Sequence, residues 1–152
     1  MKKTIMACIL AISLIGSTGC IGWRDHSQGV KPYVKPAVSL TVLTVLDNAV
    51  DEEDRVKRAL LMYHSGVILQ SLAAGAVPEA GAVKAALQEY LPEGVMWADF
   101  ISSLDDIYKT AYNRANDDTQ LVLEIVVEMA AGLREGSGKY LSDHGTELPG
   151  GD

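Results

Sequence analysis

Apolar and polar positions alternate along residues 97–111 with the period of an α-helix. Trp97, Phe100, Ile101, Leu104, Ile107, Tyr108 and Ala111 fall at i, i+3, i+4, i+7 spacing, while Asp99, Ser103, Asp106 and Thr110 occupy the opposite face. The pattern predicts an amphipathic helix whose inward stripe takes Trp97 and Phe100 as core residues. Residues 121–133 are apolar nearly all round. There Leu121, Val122, Leu123, Ile125, Val126, Val127 and Met129 leave only a narrow line of Glu124, Glu128 and Glu135. A helix so composed is expected to be the most buried of the set. Asn116-Asp117-Asp118-Thr119-Gln120 supplies the turn before it, with Asp117 and Gln120 at capping-box spacing.

Three further segments lie upstream. Pro36 suits the first position of a helix, and residues 37–50 follow with Val38, Leu40, Val42, Leu43, Val45, Leu46 and Val50 pointing almost everywhere. Such a segment is buried or it is a strand, and the absence of a second strand to pair with makes helix the expectation. Asp51-Glu52-Glu53-Asp54 is an acid-rich helix start, where carboxylates meet unpaired N–H groups and the positive end of the dipole. Along this helix Val56, Leu60, Tyr63 and Val67 share one face and Leu61, Ile68, Leu69 and Leu72 another, with Gly75 at its end. Val77-Pro78-Glu79 opens a short helix carrying Val83, Leu87 and Leu91, which Pro92-Glu93-Gly94 breaks. The sum is an all-α fold, a small bundle of four to five helices in one domain, 36–135. Residues 20–35, rich in Gly, Pro and mixed charge around Trp23 and Tyr33, are expected to be a tether. Residues 136–152 are expected to be a disordered tail after Gly136.

The remaining stretch, 1–19, has the anatomy of an export signal: Lys2 and Lys3, an apolar run over 4–16, then the small residues Ser17-Thr18-Gly19. The run is too short for a hydrocarbon core of about 30 Å, which asks for roughly twenty apolar residues. Ile15-Gly16-Ser17-Thr18-Gly19-Cys20 resembles the lipobox of bacterial lipoproteins, with Ser17 where Leu is commonest. The resemblance implies cleavage before Cys20, acylation of its thiol and a membrane anchor through those acyl chains. Ile21, rather than Asp, directly after the cysteine implies sorting to the outer membrane, facing the periplasm unless flipped outward. Ser17-x-Gly19 also satisfies the small-x-small rule of ordinary secretory cleavage, which would release a soluble chain with a free Cys20.

Charge and cysteines narrow the field. The chain of 152 residues has 13 basic and 20 acidic side chains. Removing 1–19 takes away two lysines and no acid, leaving a formal charge of −9. A polyanion would repel such a chain, so no nucleic acid partner is expected. Cys8 lies in the signal and Cys20 is acylated or alone, so apolar packing must hold the domain together without a disulfide.

Candidate chemistry is sparse, and no cofactor or metal is expected. His26 falls in the tether and His144 in the tail. His64 has no His or Cys three or four residues away, so it is expected at the helix surface or hydrogen-bonded rather than on zinc. Neither a G-x-S-x-G elbow nor a Gly-rich phosphate loop occurs. Carboxylate chemistry on cell-wall glycans would rest on Glu89 or Glu93, near Tyr90 and Trp97, and would need a deep groove with Trp97 exposed. A buried Trp97 without a groove favours a binder. The leading expectation is therefore a non-enzymatic binding or assembly factor of the cell envelope with a protein partner. The whole chain is also similar to small helical lipoproteins of phages and prophages, a likeness that implies superinfection exclusion or lysis.

Overall fold

A computed structural model describes residues 31–74, 77–79, 81–115 and 118–146, and within them the chain forms five α-helices and no strand. They are α1 (Lys31–Asp47), α2 (Glu52–Ala73), α3 (Ala82–Tyr90), α4 (Val95–Ala115) and α5 (Thr119–Asp143). The all-α bundle anticipated from the sequence is the observed fold. α5 is its axis: α2 and α1 lie along it, and α4, backed by α3, touches both α5 and α1.

Capping chemistry sets the helix ends. Asp51 caps α2 by accepting the Asp54 N–H at 2.8 Å, and Asp54 reaches back to accept the Val50 N–H at 3.1 Å. Arg58, 2.6 Å from the Asp54 carboxylate, and then that Val50 N–H hold the Asp54 carboxyl below its ordinary pKa. Asp118 caps α5 through the Leu121 N–H at 3.1 Å, one residue later than the capping-box spacing indicates; Asp117 lies outside the described residues. α3 begins at Ala82, later than Val77-Pro78 implies, because Gly81 at φ +93° turns the chain into it and the Pro78 carbonyl instead accepts the Tyr108 hydroxyl. Burial pushes the Tyr108 phenol up to about 12.

Two expected boundaries are corrected. α1 starts at Lys31 rather than at Pro36, so residues 31–35 belong to the bundle and not to a tether. Pro36 costs the helix one hydrogen bond, and tertiary contacts offset the loss: Val34 is buried, Lys31 pairs with Glu124 at 2.9 Å, and Lys35 pairs with Glu135 at 2.6 Å. The second correction is at the other end. α5 runs ten residues past Leu133, to Asp143, with Ser137, Gly138 and Leu141 buried, so 136–143 is helix and not tail. The helix stops at Gly145, φ +69°, where Thr146 N–H bonds Leu141 O at 2.9 Å and Gly145 N–H bonds Ser142 O at 3.1 Å, the paired bonds of a Schellman motif. Residues 1–30, on which the expected export signal, the lipobox resemblance and Cys20 fall, and residues 147–152 lie outside the described part of the chain.

Glycines inside α2 and α5 let α1, α2 and α5 approach one another. A Cβ on Gly132 would stand 2.9 Å from the Lys35 carbonyl oxygen and 3.0 Å from Val38 Cβ. On Gly66 it would meet the Ala130 carbonyl oxygen at 2.9 Å, and on Gly136 the Val42 Cγ1 at 3.2 Å. Gly132→Ala therefore should lower stability by about 1 kcal/mol in urea unfolding, since overpacking against backbone outweighs the gain in helix propensity. Gly136→Ala, which meets only a side chain, should lose less.

Acid should loosen the start of α1. Glu124 is held below its ordinary pKa by the hydrogen bonds from Lys31 and Gln120, and Lys31 is held above its own by Glu124. The contribution of Glu124 is present above its unfolded-state pKa and is lost as pH falls through the lower folded value. That of Lys31 is present below its unfolded pKa and is lost as pH rises through the higher folded one. Amide exchange at Val38, corrected for intrinsic rates, should accelerate below about pH 4. In Lys31→Met this acid step should shrink.

Candidate interaction surface

α1 presents two apolar faces, and only one is covered. Val34, Val38, Val42, Val45 and Leu46 point inward and are buried against α5 and its neighbours. The outward positions are Tyr33, Pro36, Leu40, Leu43 and Asp47, spaced alternately three and four apart, with Val50 just past the helix end. Tyr33 is 59% exposed, Leu40 57%, Leu43 49% and Val50 89%, where a solvated helix face would normally carry charge. No charged residue occurs between Lys35 and Asp47. The hydroxyls flanking the stripe are turned back on the helix: Thr41 donates to Ala37 O at 3.1 Å and Thr44 to Leu40 O at 2.9 Å.

The residues proposed for glycan chemistry are not assembled. Glu89 and Glu93 are exposed, whereas Trp97 is buried edge-to-face on Phe100 with centroids 5.7 Å apart. The Tyr90 and His64 rings lie 6.2 Å apart, centroid to centroid, and His64 is half-buried on α2 with the Tyr63 ring at the same distance. An open depression of about 540 Å³ between α2 and α5 is lined by Tyr63, Glu135 and Lys139. Arg134 crosses it, its guanidinium 5.6 Å over the Tyr63 ring and 2.6 Å from the Gln70 amide oxygen.

Two polar clusters escaped sequence reasoning. Asp105 is buried on α4, its Oδ2 2.6 Å from Lys109 and its Oδ1 without a hydrogen-bond partner among the described residues. At the far end of the bundle the Tyr140 hydroxyl donates to Glu52, His144 Nε2 lies 3.2 Å from the same carboxylate, and the Tyr140 and His144 rings stack at 4.1 Å. Burial first, and the Glu52 contact second, raises the Tyr140 pKa. This cluster fastens the last turn of α5 to the first of α2. Its signal was the i, i+4 spacing of Tyr140 and His144, legible only once the helix is known to continue that far.

No charged cluster with metal-ligand geometry occurs among the described residues, and no described helix is long and apolar enough to cross a membrane. Comparison with protein-family models, with curated proteins and with solved structures returns no match.

The two faces of α1 should respond oppositely to mutation. Leu40→Glu should leave thermal stability within about 0.5 kcal/mol of the parent, as an exposed substitution does. Val42→Ala should cost about 2 kcal/mol through lost burial and a residual cavity.

Proposed function

We propose that this protein is a membrane-anchored helical lipoprotein, acylated on Cys20, that acts as a non-enzymatic binding or assembly factor in the cell envelope. The observation that carries the binding role is the bare apolar face of α1. A helix that is apolar on all sides is stable in water only when both sides are covered, and the bundle covers one. The glycan-hydrolase alternative finds no support in the placement of Glu89, Glu93 and Trp97 described above.

The anchor rests on the lipobox resemblance around Cys20. Ten residues lie between that cysteine and Lys31, and the eleven Cα–Cα steps reach at most about 40 Å when extended. The bundle would be held close to the bilayer, where tethering raises the effective concentration of any envelope component that α1 meets. With a formal charge of −9 the domain gains nothing from anionic headgroups, so the acyl chains supply the attachment, several of them being needed for stable anchoring. Outer-membrane sorting follows from Ile21 after the cysteine, on the lipoprotein resemblance.

Cys20→Ala should abolish cleavage at that site and shift the protein out of the outer-membrane fraction, read by fractionation and mass spectrometry. Normal processing with unchanged outer-membrane fractionation of that variant would refute the anchor.

A further inference from the structure

We propose that the depression between α2 and α5 binds the carboxylate of an organic ligand, held by Arg134 and Lys139. The site uses neither the bare face of α1 nor the Cys20 anchor.

One stripe of α2 is built around Arg134. Tyr63, Gly66 and Gln70 fall at i, i+3, i+7 spacing, and each meets a different part of that side chain. Gly66 makes room for the stem, since a Cβ there would stand 2.7 Å from Arg134 Cγ. The buried Tyr63 ring has the guanidinium 5.6 Å over its centroid, and the Gln70 amide oxygen accepts from Arg134 Nη1 at 2.6 Å. The arm is therefore fixed in place without being neutralised, because Gln70 supplies an acceptor and no charge. Nε is buried with no acceptor among the described residues, which is destabilising until one arrives.

The hollow beside Arg134 follows from small residues. Ala131, Glu135, Gly138 and Ser142 run down one strip of α5 at four, three, four spacing, and Arg134 and Lys139 stand about 70° to either side of it. Ala131 and Gly138 keep the strip low. What results is the open depression of about 540 Å³, a volume that suits a small organic molecule, with a cation on each rim.

These two cations are left uncompensated in an acidic chain. Lys31, Lys35, Arg55, Lys57, Arg58 and Lys109 each pair with a carboxylate, whereas Arg134 and Lys139 pair with none among the described residues. Glu135 lies between them on the strip but pairs with Lys35 at 2.6 Å. The ligand carries a single negative charge, because Glu135 and the net charge of the chain both disfavour a dianion. It is planar at that charged end. The guanidinium edge formed by Nε and Nη2 has no partner among the described residues, and its two parallel N–H groups match the two oxygens of a carboxylate. A slight turn about the Gln70 bond brings that edge to the hollow and gives Nε the acceptor it lacks. Lys139 and the Ser142 hydroxyl can meet the same group from the far rim, while the apolar body of the ligand lies over Ala131 and Gly138.

The test is a titration of the nitrogen-15-labelled full chain with benzoate, followed by NMR at the backbone amides of Gly138 and Lys139. Saturating shifts with a Kd on the order of 1 mM are expected, the strength of one charge-assisted fork in an open site. Benzamide keeps the shape and lacks the charge, so it should bind at least tenfold more weakly. Arg134→Met retains the stem over Gly66 and should weaken benzoate at least tenfold, while Arg134→Lys, which keeps the charge and loses the fork, should fall between. Lys139→Met, at an exposed position, should cost about threefold with an unchanged thermal midpoint, and it carries the test if the Arg134 variants disturb the fold. A short peptide that displaces benzoate only when its C-terminus is free would identify the carboxylate as a chain end; displacement by small carboxylates alone would identify a free metabolite, and either keeps the site. Absence of a saturable shift at tenfold the expected Kd, equal binding of benzamide, binding of inorganic phosphate as tight as that of benzoate, or an affinity that neither Arg134→Met nor Lys139→Met changes would each overturn the proposal.

Discussion

Everything in this bundle depends on how closely α5 can approach α1 and α2. The contact is made over Gly132 and Gly136, against Val38 and Val42 of α1, and over Gly66 of α2 against Ala130 and Leu133. Without a Cβ at these points the backbones come near enough for valines and small residues to interdigitate, and the chain needs no disulfide to hold its long helices together. The cost falls on the helix itself, because each interior glycine weakens the intrinsic preference for helix by about 1 kcal/mol. Dense burial along α5, from Leu121 through Leu141, offsets it.

Ionic contacts refine this frame without creating it. Glu124 and Glu135 lie on a single line of α5 and meet Lys31 and Lys35, which are one turn apart on α1. These pairs are well exposed, so they register α1 along α5 more than they stabilise it. Asp105 is the exception: a buried carboxylate with one oxygen unpaired among the described residues weakens rather than strengthens its surroundings, and Lys109 pairs with only the other.

The proposed binding role rests on the face that α5 does not cover. The inward valines of α1 are used by the fold, but Tyr33, Leu40 and Leu43 are not, although nothing in the fold requires them to be apolar. Surface positions under no packing demand ordinarily drift to polar residues, which give solubility. On the proposed reading their apolar character serves association. An aromatic pocket at Trp97 would have told a different story, but Trp97 is spent on packing against Phe100.

Periodicity alone determined that the chain is helical, that the Trp97 to Tyr108 stripe turns inward, that Asp51 opens a helix, and that the segment after Asp118 is the most apolar, because each of these is a local property of spacing and capping. The run over 37–50, apolar on every side, implied burial all round, and the structure corrects this: Leu40, Leu43 and Val50 are exposed, because only one side of α1 has helices to pack on it. Where helices end was decided by tertiary structure. Pro36 looked like a beginning and Gly136 like an end, since a proline lacks a donor and a glycine lacks helix propensity. In the folded chain Lys31 and Lys35, upstream of or beside the proline, find Glu124 and Glu135, and Gly132 and Gly136 of α5 sit where a Cβ would press on α1. The true stop, Gly145, differs from the interior glycines only in its positive φ, and that is a property of the three-dimensional backbone.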